Sequence, residues 1–161
     1  MKLTLRLLAL LLSVHSVSAA AETYPLQVSR KGSNIYQAEG KELMVVTLGC
    51  NLLAYFEDVI LESSPNGGHM TFVYTKDKCE VKGLYAPKVS EPGRYGVTLS
   101  LKAENWYEIF GTNTYVKTQN CRVMVLGQAA ILLIQTVGLG QISFKDGDNC
   151  KVESFFSKQR W

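Results

Sequence analysis

The chain has 161 residues, 47% of them hydrophobic, with 17 Lys and Arg against 14 Asp and Glu. No Lys/Arg cluster stands out, which argues against a nucleic-acid partner. The length suits one compact domain or two small ones.

The N-terminus reads as a targeting segment. "MKLTLRLL" places Lys2 and Arg6 ahead of a leucine-rich run, and "SVSAAAE" supplies small residues at signal-peptidase spacing. Cleavage is expected after Ala19, Ala20 or Ala21, so residues 1–21 are assigned to a signal peptide. The apolar run, about 15 residues, is short for a bilayer span of roughly 20. Loss of Lys2 and Arg6 leaves 15 bases and 14 acids, a mature net charge of +1. No membrane span is expected in the mature chain, because "AAILLIQTVGLG" is also too short.

Beyond the leader, the chain repeats itself at an offset of 71. Cys50 falls on Cys121 and Cys79 on Cys150; Tyr24, Ser29, Lys31, Asn34 and Tyr36 fall on Tyr95, Ser100, Lys102, Asn105 and Tyr107. Gly40, Val45, Thr47, Ile60 and Leu61 also recur, as do Gly67, Asp77 and Val81. That makes 15 identities in the 67 pairs of residues 24–90 with 95–161, against about four or five for unrelated sequence. Two copies of one unit of about 70 residues are expected, over 22–92 and 93–161.

Within each copy the patterns are short and strand-like. "YPLQVSR" and "YGVTLSL" alternate, and "ELMVVT" and "NTYVKT" are rich in β-branched or aromatic residues. "AENWYEIFG" and its counterpart "GSNIYQAEG" are read as strands. "SSPNGGH" and "KDGDN" signal turns. Five or six strands per copy follow. The expected fold is all-β, a tandem duplication packed as a β-sandwich or as two small β-domains.

The four cysteines, Cys50, Cys79, Cys121 and Cys150, are even in number and lie in the exported part, which favours disulfides. Four cysteines allow three connectivities. A self-contained unit would carry its own bridge, and the two intervals are the same, 79 − 50 = 150 − 121 = 29. Cys50–Cys79 and Cys121–Cys150 are therefore favoured. A loop of that length contributes ~3.6 kcal/mol in the chain-entropy model.

Groups that could carry chemistry are few. Glu57 and Asp58 are adjacent, so on a strand they point to opposite faces and form no acid/base pair. The gapless alignment puts Gln128 and Ala129 opposite them. A nucleophilic cysteine needs a base, and the mature chain has one histidine, His69, in the "NGGHM" turn with Gly140 opposite it. "DGDN" resembles half of a calcium loop but lacks the regular oxygen ligands and the distal glutamate. No cofactor or metal is expected. Tyr24, Tyr36 and Asn34 recur as core or turn positions, or as an aromatic surface. Trp161 ends the chain as a candidate anchor.

The motifs "YVKTQNC", "AIL" and "CKV", kept in the first copy as "LMVVTLGC", "VIL" and "CEV", resemble small exported bacterial proteins of unknown function. The resemblance implies an exported all-β protein and transfers no functional residue. The expected function is binding: an inhibitor or immunity-type protein, in the periplasm or outside the cell, acting on another protein such as a hydrolase or toxin. The expected contacts lie where the copies differ, at Glu57, Asp58, His69 and Trp161. A surface accessory protein or a small secreted hydrolase are the alternatives.

Overall fold

The computed structural model describes residues 22–64, 67–136 and 139–159. The leader and Trp161 lie outside these residues. Among the described residues all regular structure is β, in twelve strands.

The first half contains β1 (Glu22–Gly32), β2 (Ile35–Ala38), β3 (Leu43–Leu48), β4 (Glu57–Ser64), β5 (Gly67–Phe72) and β6 (Lys78–Lys88). Their antiparallel pairings run β1–β2–β3–β6–β5–β4 and return to β1. The ring closes, which removes free edges. Side chains alternate along each strand, and the inward set comprises Val28, Tyr36, Val45, Val59, Leu61, Met70 and Phe72, all buried. The Cys50–Cys79 disulfide sits at one end of this core.

The second half contains β7 (Gly93–Ala103), β8 (Trp106–Ile109), β9 (Thr114–Gln119), β10 (Gln128–Thr136), β11 (Leu139–Phe144) and β12 (Asn149–Lys158). It closes a second six-strand ring with the same order of pairing. The Cys121–Cys150 disulfide occupies the same place in it. Backbone detail repeats as well. Left-handed residues occur at Asn34 and Asn105, Gly40 and Gly111, Gly49 and Asn120, Phe56 and Gly127, and Lys76 and Gly147, each pair 71 apart.

The offset is not constant, however. Leu61 pairs with Met70, whereas Leu132 pairs with Ile142. An extra residue at the Ile134/Thr136 irregularity moves β11 to an offset of 72. The shorter turn after Phe144 restores 71. His69 therefore corresponds to Gln141 rather than Gly140, and Gly67 to Leu139 rather than Gly138. A further difference concerns "GSNIYQAEG" and "AENWYEIFG". Each spans a tight turn, at Ser33–Asn34 and Glu104–Asn105, between two strands. A gapless comparison cannot register a bulge, and a left-handed Asn resembles any polar strand residue.

The two rings join through β6 and β12, with Tyr85, Ala86, Pro87 and Lys88 opposite Lys158, Ser157, Phe156 and Phe155. Ser157 is the counterpart of Ala86, so each half presents the same segment to the other around a local two-fold axis. The outer faces of the rings then pack together. Ile35, Met44 and Tyr85 form one buried cluster with Trp106, Tyr115 and Phe156, their own counterparts. Tyr85 and Tyr115 meet edge to face, 4.8 Å between centroids. Gly32 meets its counterpart Ala103: a Cβ on Gly32 would lie 2.1 Å from the Ala103 Cβ. Only one of the two positions can carry a side chain.

Gly32→Ala should accordingly destabilise the protein by ~1–3 kcal/mol, the range for overpacking, as read by chemical denaturation. The double variant Gly32→Ala/Ala103→Gly should recover most of that loss. A neutral Gly32→Ala would show that the two halves do not meet there.

Burial raises the phenol pKa of Tyr36, Tyr85, Tyr107 and Tyr115 above the ordinary 10.0; Glu108 adds to the effect at Tyr85 and Tyr115, while a backbone hydrogen bond opposes it at Tyr36 and Tyr107. Their folded pKa exceeds the unfolded one, so this contribution is complete below about pH 10 and is lost as the pH rises through the folded values. Denaturant midpoints should therefore fall above about pH 10. Phenolate absorbance should show four of the eight tyrosines ionising only with unfolding. Titration of all eight near pH 10 in a folded protein would contradict the burial.

Candidate functional site

The run "TLGCNLLAYFEDVIL", Thr47 to Leu61, is not one strand. It is the end of β3, an irregular segment over 49–56, and the start of β4. A buried or half-buried segment without strand partners must satisfy its backbone groups in other ways. Here the recurring residues do so. The Cys50 amide donates to Asn34 Oδ1 at 2.7 Å. The Tyr36 hydroxyl donates to the Leu52 carbonyl at 2.9 Å. The Arg30 amide donates to the Ala54 carbonyl at 2.9 Å, and the Phe56 amide donates to Ser29 Oγ at 3.2 Å. The disulfide to Cys79 fixes the start.

The second half repeats the scheme. The Cys121 amide donates to Asn105 Oδ1, the Tyr107 hydroxyl to the Val123 carbonyl, the Leu101 amide to the Val125 carbonyl and the Gly127 amide to Ser100 Oγ. Asn34, Tyr36, Ser29 and their counterparts thus serve as struts. Tyr36 and Tyr107 are fully buried and form no aromatic surface, whereas Tyr24 and Tyr95 are exposed.

Between these anchors alternate side chains point outward, while Leu52 and Ala54 pack against the core. Leu53 is 86% exposed and Tyr55 81%, with Phe56 half exposed. Tyr55 and Phe56 touch edge to face at 4.7 Å. The counterparts Met124 and Leu126 are 86% and 88% exposed. Each half therefore holds apolar groups in water on a pinned backbone. Phe56 also has φ 55°, a left-handed value that is strained for a bulky side chain, where the second half has Gly127.

Leu53 and Tyr55 overhang a cleft of about 670 Å³ that also involves Arg30, Lys31, Glu57 and, from the second half, Glu104. Its floor is the Gly32–Ala103 contact on the local axis. The cleft mixes two cations and two carboxylates with an exposed aromatic ring. Lys31 also lies 4.0 Å from Glu39.

The residues singled out from the sequence are not brought together. Glu57 lines the cleft. Asp58 is the second residue of β4 and accepts from Gln27 Nε2 at 3.3 Å. His69 is in β5, not in a turn, opposite Glu62 on one side and Glu80 on the other. Glu62 is four residues along β4 from Asp58, about 13 Å at strand rise. Trp161 lies outside the described residues. Both disulfides are formed and no cysteine is free. Among the described residues, no group of three or more His, Cys, Asp or Glu could hold a metal ion, and no helix is long and apolar enough to cross a membrane.

No protein-family model, curated protein or solved structure matches the chain. The site is therefore read from its own geometry. Leu53, Tyr55 and Phe56 were hidden in the sequence because an apolar segment flanked by strand patterns reads as buried strand. The one available signal was Gly127 facing Phe56 in the repeat.

Phe56→Gly should raise stability by about 1 kcal/mol through relief of the left-handed strain, as measured by denaturant titration, with an unchanged fold by circular dichroism. A loss of stability would mean that the Phe56 ring contributes more to packing than its backbone costs.

Proposed function

We propose that this is an exported binding protein, built by tandem duplication of one disulfide-bonded β unit, that docks on another protein through the 53–57 segment and the cleft beside it. The observation that carries this reading is the pair Leu53 and Tyr55, almost fully exposed on a backbone fixed at five points. Exposed apolar groups on a rigid support lose little conformational entropy on association. An aromatic anchor beside an Arg is a common centre of protein interfaces. Glu57 and Asp58 would sit at the rim, steering the encounter more than holding the complex.

The two disulfides fit an oxidising, exported setting. In that setting an inhibitor or immunity-type role, directed at a hydrolase or toxin, is the concrete form of the proposal. Duplication is supported by the shared pairing scheme and by the recurring left-handed positions. After duplication one copy can keep the scaffold while the other changes its surface. The cleft shows such a change: Tyr55, Phe56, Glu57 and Asp58 correspond to Leu126, Gly127, Gln128 and Ala129.

The test is capture of the partner on immobilised protein from the producing cell and its neighbours, followed by affinity measurement with variants. Tyr55→Ala and Leu53→Ala should each weaken the complex by about 2 kcal/mol or more, roughly thirtyfold. Glu57→Ala and Asp58→Ala should cost under about 1 kcal/mol. Thermal stability should stay within about 0.5 kcal/mol of the parent for these exposed changes. Unchanged affinity in Tyr55→Ala and Leu53→Ala would reject this surface.

A further inference from the structure

The first ring is incompletely filled at the end away from its disulfide. A cavity of about 230 Å³ opens there between β1, β4 and β6, walled by Tyr24, Leu26, Leu61 and Leu84. Glu22, Lys41 and Ser63 stand at its mouth. Apolar cavities somewhat smaller than this, near 150 Å³, take up a benzene-sized guest. Drug-sized pockets begin at roughly 300 Å³. The space thus suits a single ring or a short alkyl chain.

The second ring shows that the fold does not require this space. Leu84 and Ser63 correspond to Phe155 and Ile134, both bulkier and both buried. The polar residues of the mouth have no counterpart: Glu22 and Lys41 correspond to Gly93 and Thr112. The Thr112 hydroxyl donates to the Ile109 carbonyl of its own turn at 2.8 Å. Lys41 instead lines the opening, and no ion pair engages it among the described residues. The Glu22 carboxylate accepts from the Tyr24 hydroxyl and keeps its charge. The cation among the residues at the mouth is the ammonium of Lys41, the group there that would pair with an anionic guest.

We propose that the mouth of the first ring binds a small amphiphile, a single ring or short alkyl chain bearing a carboxylate, with the chain among Leu26, Leu61 and Leu84 and the carboxylate beside Lys41. The site lies apart from the 53–57 segment and does not depend on a protein partner. Hydrophobic transfer of the chain supplies the affinity, and Lys41 supplies the choice of head group.

Hexanoate, 1-hexanol and hexylamine serve as probes against the purified protein, followed by calorimetry and by methyl NMR. Saturable one-site binding is expected, strongest for hexanoate, with shifts confined to Leu26, Leu43, Leu61 and Leu84. Ser63→Ile/Leu84→Phe, which copies the filled ring, should abolish binding of all three probes and raise the melting temperature. Lys41→Thr should weaken hexanoate about three- to fivefold, the size of an exposed ionic contact, and leave 1-hexanol unchanged. Ser63→Ile alone is the control should the double variant fold poorly, and it should weaken all three probes. Absence of saturable binding in the folded parent would overturn the proposal, as would binding retained in a folded Ser63→Ile/Leu84→Phe variant. Tighter binding of hexylamine than of hexanoate would overturn the assigned head group.

Discussion

The bond from the Tyr36 hydroxyl to the Leu52 carbonyl, with its double at Tyr107 and Val123, is the contact on which the arrangement turns. Each phenol crosses the interior of its ring and ends beside a disulfide sulfur. There it satisfies a carbonyl that no strand can reach. A buried carbonyl left without a donor would cost about 1–3 kcal/mol. The same hydroxyl places the chain after the cysteine, and Asn34 or Asn105 orients the cysteine amide. Core packing, loop position and disulfide geometry are therefore one linked arrangement. This is why Asn, Tyr, Thr and Cys recur together while the residues between them are free to differ.

The second organising feature is self-complementarity. Both halves offer the end of their sixth strand and the outer face of their second and third strands to each other. Such an isologous contact is typical of two-fold dimers, here contained in one chain. A single chain permits what a symmetric dimer cannot have: different residues at the two equivalent places on the axis. Gly32 against Ala103 uses that freedom, because two alanines would not fit. Ile35 against Trp106, and Met44 against Tyr115, show the same asymmetry at larger scale. At these two places one half supplies aliphatic side chains and the other supplies rings, while Tyr85 and Phe156 are aromatic in both.

Asymmetry also separates the proposed binding surfaces from the scaffold. The second ring is filled by Phe155 and Ile134, and its 127 position carries the glycine that the backbone favours. The first ring keeps an open mouth, a strained Phe56 and a charged cleft. Strain and empty volume both cost stability. They persist in the half whose loop presents the larger aromatic surface. A filled and relaxed ring joined to an open and strained one can share stability through their common core.

By itself the sequence determined the all-β class, the two disulfides and the recurring positions, because these depend on short-range signals: alternation, turn residues and cysteine spacing. It also singled out Asn34 and Tyr36 through their return at Asn105 and Tyr107, as core or turn positions or as an aromatic surface, and the structure decided between the two. Only the tertiary structure decided that each set of six strands closes on itself, since the partner of β1 across the ring, β4, lies some thirty residues away and no local pattern names it. It also decided the one-residue slip that puts Gln141 in place of His69, because a bulge changes register without changing composition. Finally, it decided that Leu53 and Tyr55 of the apolar run "NLLAYF" are exposed. An apolar residue faces water or core according to what the rest of the chain places over it, and among the described residues nothing covers these two.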